Sequence, residues 1–241
     1  DPDQFNKIVG DFIVQVDVDD RPVPVGSWNR KSAASLVKLL ALADRRRLHR
    51  EQVVDALWPD STVESALPRL HKAAHFVRKA TGVQDSVVLA DGFVELFPDA
   101  VVSVDIADFE RLAADGVGSA DPTTVDAALD CYGGELLPDD LYEPWTFEAR
   151  QRAHLRRREL LRLVGRWYAL LAVDQTDEDA HVAVMQAMLD AGDRSGVRHQ
   201  FEMLARVLRD ELDAEPGPAA VELHRRAVAP SGRQHRRHRA H

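Results

Sequence analysis

The chain has 241 residues, 45% of them hydrophobic, a formal net charge of -9 and a single cysteine. These values suit one large or two medium domains, and they exclude a chain that is basic throughout, an intrachain disulfide and a cysteine-based metal cluster. No apolar run approaches the roughly 18–20 residues of a membrane-spanning helix and no signal peptide is visible, so the cytoplasm is the expected compartment.

Charge is uneven. Residues 30–80 hold eleven Lys and Arg against five Asp and Glu, a local +6 that leaves -15 for the rest. A basic face can hold polyphosphate on an acidic protein, because salt screens each charge within about 8–10 Å.

Residues 8–25 alternate apolar positions at Phe12, Val14, Val16 and Val18, the period of a strand. Asp19-Asp20-Arg21-Pro22 reads as a turn into a second short strand. From Arg30 to Ala43, Ala33, Leu36, Val37, Leu39, Leu40 and Leu42 recur with helical period. A second helix is expected from His49 or Arg50, with Val53, Val54, Leu57 and Trp58 inward, until Pro59 stops it. Ser61-Thr62-Val63-Glu64 has the form of a capping box before a third helix that ends near Thr81, with Gly82 as its C-cap. An interior proline costs about 3 kcal/mol, so Pro68 favours a start at Glu64 or later. Leu70, Ala73, Ala74 and Val77 form the inner stripe of that helix.

Residues 87–97, VVLADGFVELF, read strand, Asp91-Gly92 turn, strand. Beyond Asp105 the pattern is helical, with segments expected at 105–114, 122–132, 144–164, 166–172, 177–191, 194–212 and 218–228. Gly133-Gly134, Pro138, Gly192-Asp193 and Pro216-Gly217-Pro218 punctuate them. Met185, Met188, Val197, Phe201 and Leu204 flank the Gly192-Asp193 turn as in a stacked helix pair. The Arg/His-rich tail from Ser231 to His241 lacks an apolar anchor and reads as disordered.

Three helices followed by a hairpin describe a winged helix. The fold class is therefore α+β: a winged helix-turn-helix with a small antiparallel sheet over residues 8–100, an all-α domain of tetratricopeptide-like helix pairs over 101–228, and a basic tail over 229–241. In this arrangement the third helix, about 64–81, enters the major groove. Its candidate DNA contacts are Arg69, His71, Lys72, His75, Arg78 and Lys79. Arginine can bridge guanine O6 and N7, at about 1–3 kcal/mol of discrimination, but spacing alone leaves open which of these residues read bases and which meet phosphate. A solvated helix face is the plainer account of such cations taken alone.

Arg30, Lys31 and Arg50 stand at helix starts and are candidate phosphate contacts. Arg45-Arg46-Arg47 either meets phosphate too or caps helix carbonyls. Asp91 and Gly92 are the tip of the wing. His71 and His75 have a chelating i, i+4 spacing without a third ligand, so no metal is expected, nor any cofactor. No nucleophile–base constellation points to an enzyme.

Several runs, in order, resemble one family: Arg30-Lys31 before a Leu-rich helix, RRRLHREQVVDALWPD, PRLHKAAHFVRKATG, DGFVELFP, VDIADFE, GGELLPDDLYEPW, TDEDAHVAVMQAMLDAGDRSG and RDELDAEPGP. The chain resembles the Streptomyces antibiotic regulatory protein type, an OmpR-type winged helix followed by a bacterial transcriptional activator domain. Pro68 and Thr81 depart from the family's usual residues, and GRWYALLAVDQTDE is short for its first helical repeat. The resemblance implies an activator that binds double-stranded DNA, pairs on direct repeats and meets RNA polymerase. The alternative is a protein-interaction module of a larger signalling protein whose winged helix no longer binds DNA.

Overall fold

The computed structural model describes residues 14–18, 21–23 and 30–229. Phe12, Trp28 and the tail from Ser231 lie outside them. The chain divides into two compact units, residues 1–160 and 161–241.

In the first unit, β1 (Val14–Val18) pairs antiparallel with β2 (Arg21–Val23), Val16 opposite Val23. Three helices follow: α1 (Lys31–Leu42), α2 (Arg50–Leu57) and α3 (Val63–Thr81). Between α1 and α2 lies β3 (Arg47–His49). The hairpin is β4 (Val87–Ala90) and β5 (Phe93–Leu96). Strand order β3-β5-β4 makes one antiparallel sheet, with Leu48 opposite Val94. The other sheet, β2-β1-β6, is closed by β6 (Val101–Val104), which sets Val14 opposite Val104.

The three helices converge on a core of aliphatic side chains. Leu36, Leu40, Val53, Val54, Ala66, Leu70, Ala73, Ala74 and Val77 are all 0% exposed, as are Val87, Val94 and Leu96 from the hairpin. The wing turn needs left-handed backbone at two successive residues, and Asp91 (φ 50°) and Gly92 (φ 81°) provide it. Gly82 (φ 70°) closes α3 in the same region of backbone space.

Two local expectations are corrected. α3 begins at Val63, ahead of the start that Pro68 favours, and Pro68 lies inside it. The cap is one residue later than the Ser61–Glu64 box. Thr62 Oγ1 accepts from Ser65 N at 3.3 Å, and Ser65 Oγ donates to the Thr62 carbonyl at 2.9 Å. This cap and the burial of Ala66 hold the first turn, which compensates for the amide that Pro68 cannot offer to the Glu64 carbonyl. The two short strands β3 and β6 are the second difference, since sequence periodicity marks neither.

The first unit continues with α4 (Asp105–Ser119) and α5 (Pro122–Cys131), packed through Phe109, Ala113, Val125 and Ala128. Asp121 caps α5 by accepting from Thr124 N at 2.9 Å. An irregular stretch then leads to α6 (Phe147–Leu163), whose last residues belong to the second unit.

The second unit is helical: α7 (Trp167–Val173), α8 (Glu178–Asp190), α9 (Arg194–Leu212) and α10 (Pro218–Val228). Met185, Val197, Leu204, Leu208, Ala220, Leu223 and Ala227 make its core, with Met188 and Phe201 packed against it. The turn between α8 and α9 is the expected one, with Gly192 at φ 80° and Asp193 accepting from Gly196 N. The seven residues of α7 account for the short first repeat. No helix among the described residues is long and apolar enough to cross a membrane.

His181 is buried in this unit. Its Nε2 donates to the Gln175 carbonyl at 3.0 Å, and its Nδ1 accepts from Gln200 Nε2 at 2.7 Å. Both ring nitrogens are therefore used by the neutral imidazole, and a second proton would face a donor. Burial pushes the imidazole below its usual range, against the opposing pull of Asp177 and Glu178. A lowered folded-state value means that the unfolded chain binds more protons. The contribution of His181 to stability is thus full above the unfolded value near 6.5 and is lost as pH falls below it. Thermal unfolding at pH 8, 6.5 and 5 should show this decline, and His181→Gln should flatten it. Equal declines in both proteins would reject the assignment.

Candidate nucleic-acid interface

α3 has two unlike sides. Residues 66, 70, 73, 74 and 77 are buried, which fixes the opposite line of the helix at Pro68, Lys72, His75 and Lys79. Lys72, His75 and Lys79 are exposed, as are Arg69 and His71. Arg69 stands at one flank, where its Nη1 donates to Ser61 Oγ at 3.3 Å.

Arg78, at the other flank, has a different employment. Its Nε and Nη2 donate to the Val87 carbonyl at 3.0 and 2.6 Å. It is half-buried and ties the end of α3 to the first strand of the wing. The sequence groups it with its neighbours as an outward cation, whereas the fold makes it a brace.

The wing turn lies beside the start of α2. Arg50 N donates to the Gly92 carbonyl at 2.9 Å. His49 packs tilted against Phe93 with 3.9 Å between ring centroids, and the Arg47 guanidinium lies 3.6 Å from the same ring centre while Nε meets Glu95 at 3.0 Å. This cluster around Phe93 goes beyond the sequence expectations, although an aromatic at the hairpin turn opposite a basic strand is its signal. Arg46 donates to the carbonyls of Leu96 and Phe97 at 3.2 and 3.3 Å. Two members of the Arg45-Arg46-Arg47 run thus fasten the sheet, and the carbonyls that Arg46 holds belong to the end of β5 and the loop beyond it, not to a helix.

The candidate phosphate contacts differ among themselves. Arg50 meets Glu51 at 3.2 Å, and the Glu51 carboxyl is held below its usual range by its own backbone amide first and then by Arg50. Lys31 reaches Glu143 at 2.8 Å, and that hydrogen bond raises its ammonium above the usual lysine value. Arg30 is exposed and lies over the Phe76 ring, 5.2 Å from its centre. Asp91 is exposed at the wing tip beside half-buried Gly92. The start of α2 thus lies against the wing turn, and Arg30, before α1, lies against Phe76 of α3.

A second basic stretch, the arginines of α6, is paired largely with the protein's own groups. Arg152 meets Glu148 at 3.2 Å, Arg156 meets Glu159 at 2.7 Å, and Arg157 lies over the Tyr132 ring.

These features define a class, a winged helix joined to stacked helix pairs. Residues 145–227 match the family described as bacterial transcriptional activator domain. No curated protein sequence matches the chain. Among solved structures, Mycobacterium tuberculosis EmbR in complex with a low affinity phosphopeptide is similar, with a TM-score of 0.61 at 18% identity. The match covers 90% of this chain and 65% of that one. At such identity the likeness speaks for the fold. Residues 145–227 thus match a bacterial transcriptional activator domain, and they follow a winged helix in the chain.

Proposed function

We propose that this chain is a sequence-specific DNA-binding transcriptional regulator, an activator of the cytoplasm rather than an enzyme, with residues 8–100 on the duplex and residues 101–228 as the part that pairs copies or meets RNA polymerase. The observation that carries the reading is the line Lys72, His75 and Lys79, exposed opposite a stripe that is fully buried. A helix with one oily side clamped by two neighbours and one cationic side free is shaped for a major groove, about 12 Å wide. Arg69 and His71 flank that line. Arg30, Lys31, Arg50 and the Asp91-Gly92 tip stand where backbone phosphates pass, and Lys31 and Arg50 would exchange their carboxylate partners for phosphate. Arg78 supports the helix from behind.

Selection from a random duplex pool with residues 1–241, at two salt concentrations, tests the proposal. A recovered motif whose binding weakens with salt, at a slope near -0.9 per phosphate neutralised, is the expected result. Recovery of no motif, or a complex insensitive to salt, would reject it in favour of an interaction module.

A further inference from the structure

The stretch between α5 and α6 is an irregular segment held by side-chain as well as backbone hydrogen bonds. Arg150, on α6 and buried, donates through Nε to the Leu136 carbonyl, through Nη2 to Leu137 and through Nη1 to Leu141, at 2.7, 2.7 and 3.0 Å. One guanidinium thus holds three carbonyls of one loop. Leu137 is buried with left-handed backbone, φ 52°, a conformation that costs a branched residue energy and persists only where the surroundings impose it. Three successive turns follow, closed by Asp140 N to Leu137 O, Glu143 N to Asp140 O and Thr146 N to Glu143 O, at 3.0, 3.1 and 3.0 Å. Thr146, wholly buried, adds its hydroxyl to the Glu143 carbonyl at 2.7 Å.

This rigid segment reaches the winged helix. Lys38 of α1 meets Asp140 at 2.5 Å, with the two side chains 23% and 8% exposed. Its outer companion is the pair of Lys31 and Glu143, and the single turn Pro144–Thr146 packs on α2. We propose that residues 136–146 are a clasp that locks the winged helix to the first helix of the activator domain, with Arg150 as its anchor and the Lys38–Asp140 pair as its latch. A buried ion pair adds little net stability over an apolar pair, yet losing one partner leaves a buried charge uncompensated. Such a pair is suited to fixing one arrangement against alternatives. The clasp sets the pose of the DNA-reading helices against α6, so a displacement of α6 is passed to them as a rigid movement. The inference rests on the geometry of this unit and would survive a failure to bind DNA.

Hydrogen exchange on the full chain tests it, in four variants: Lys38→Met, Asp140→Asn, the double variant, and Lys31→Ala as the exposed control. Amides of residues 136–146 should exchange about tenfold faster or more in each latch variant, while those of α8 and α9 stay unchanged. Because the unpaired carboxylate is what drives the opening in Lys38→Met, adding Asp140→Asn should restore part of the protection. Lys31→Ala should change little. If Lys38→Met fails to fold, Asp140→Asn alone must show the opening confined to the clasp. Unchanged protection of residues 136–146, a double variant no better protected than Lys38→Met, or loss spread evenly over the chain would overturn the proposal.

Discussion

Replacing Lys72 and Lys79 together by alanine is expected to leave the fold intact and to strip the winged helix of most of its grip on DNA. Both side chains are exposed on the line of α3 opposite its buried stripe, and neither is tied by a hydrogen bond to another described residue. Alanine is the best helix former, so α3 loses charge without losing helicity. The size of the effect reports what each lysine touches. If both reach base edges, binding weakens by about 2–6 kcal/mol and the selected motif relaxes at the positions they read. If both meet phosphate, the salt slope falls by about 2 and the motif survives at reduced affinity. A fluorescence titration at several salt concentrations separates the two outcomes. Unchanged affinity and slope would take α3 off the duplex.

Why the fold could be read from residues, and part of the site could not, follows from the range over which each is determined. The wing is a matter of adjacent residues. Asp-Gly supplies two left-handed positions, and alternating Val, Leu and Phe supply the strands, so the hairpin stands where local chemistry puts it. The helices are nearly as local: a stripe of aliphatic residues at helical period and a cap or breaker at each end suffice. Strands β3 and β6, of three and four residues, lack the intervening Asp-Gly turn that ties β4 to β5. Arg47-Leu48-His49 is extended because Glu95, Val94 and Phe93 lie opposite, a fact held elsewhere in the chain.

The same distinction runs through the charges. That Arg78 is a cation on α3 is plain from its position. That its guanidinium is spent on the Val87 carbonyl depends on how the hairpin returns across the helix. Arg150 is one arginine among many in its helix, and nothing adjacent to it foretells that it becomes 8% exposed and binds three carbonyls. Pro68 misleads in the opposite sense, since a breaker's rule yields to a capped first turn and a buried Ala66. Local residues therefore disclosed which face is basic, while the fold decided which of its cations remain available.

Leu70→Ala should cost about 2–5 kcal/mol of stability, the range for a fully buried leucine whose neighbours cannot collapse into the space. Leu70 is 0% exposed at the middle of the α3 stripe, and α3 packs on both α1 and α2, whose Leu36, Leu40, Val53 and Val54 are also 0% exposed. A rigid three-helix arrangement has little freedom to close such a gap. The substitution also separates two ways of losing DNA. Leu70 lies next to Arg69 and two residues from Lys72, yet points the other way, so its removal deletes no charge from the candidate interface. Chemical denaturation should show a lower midpoint, and the salt slope of whatever binding remains should equal that of the parent chain, because the same cations meet the same phosphates. The lysine variants should show the converse, an unchanged midpoint with an altered slope or motif. If Leu70→Ala reduced the salt slope while leaving the midpoint in place, the division of α3 into a side that packs and a side that binds would be wrong.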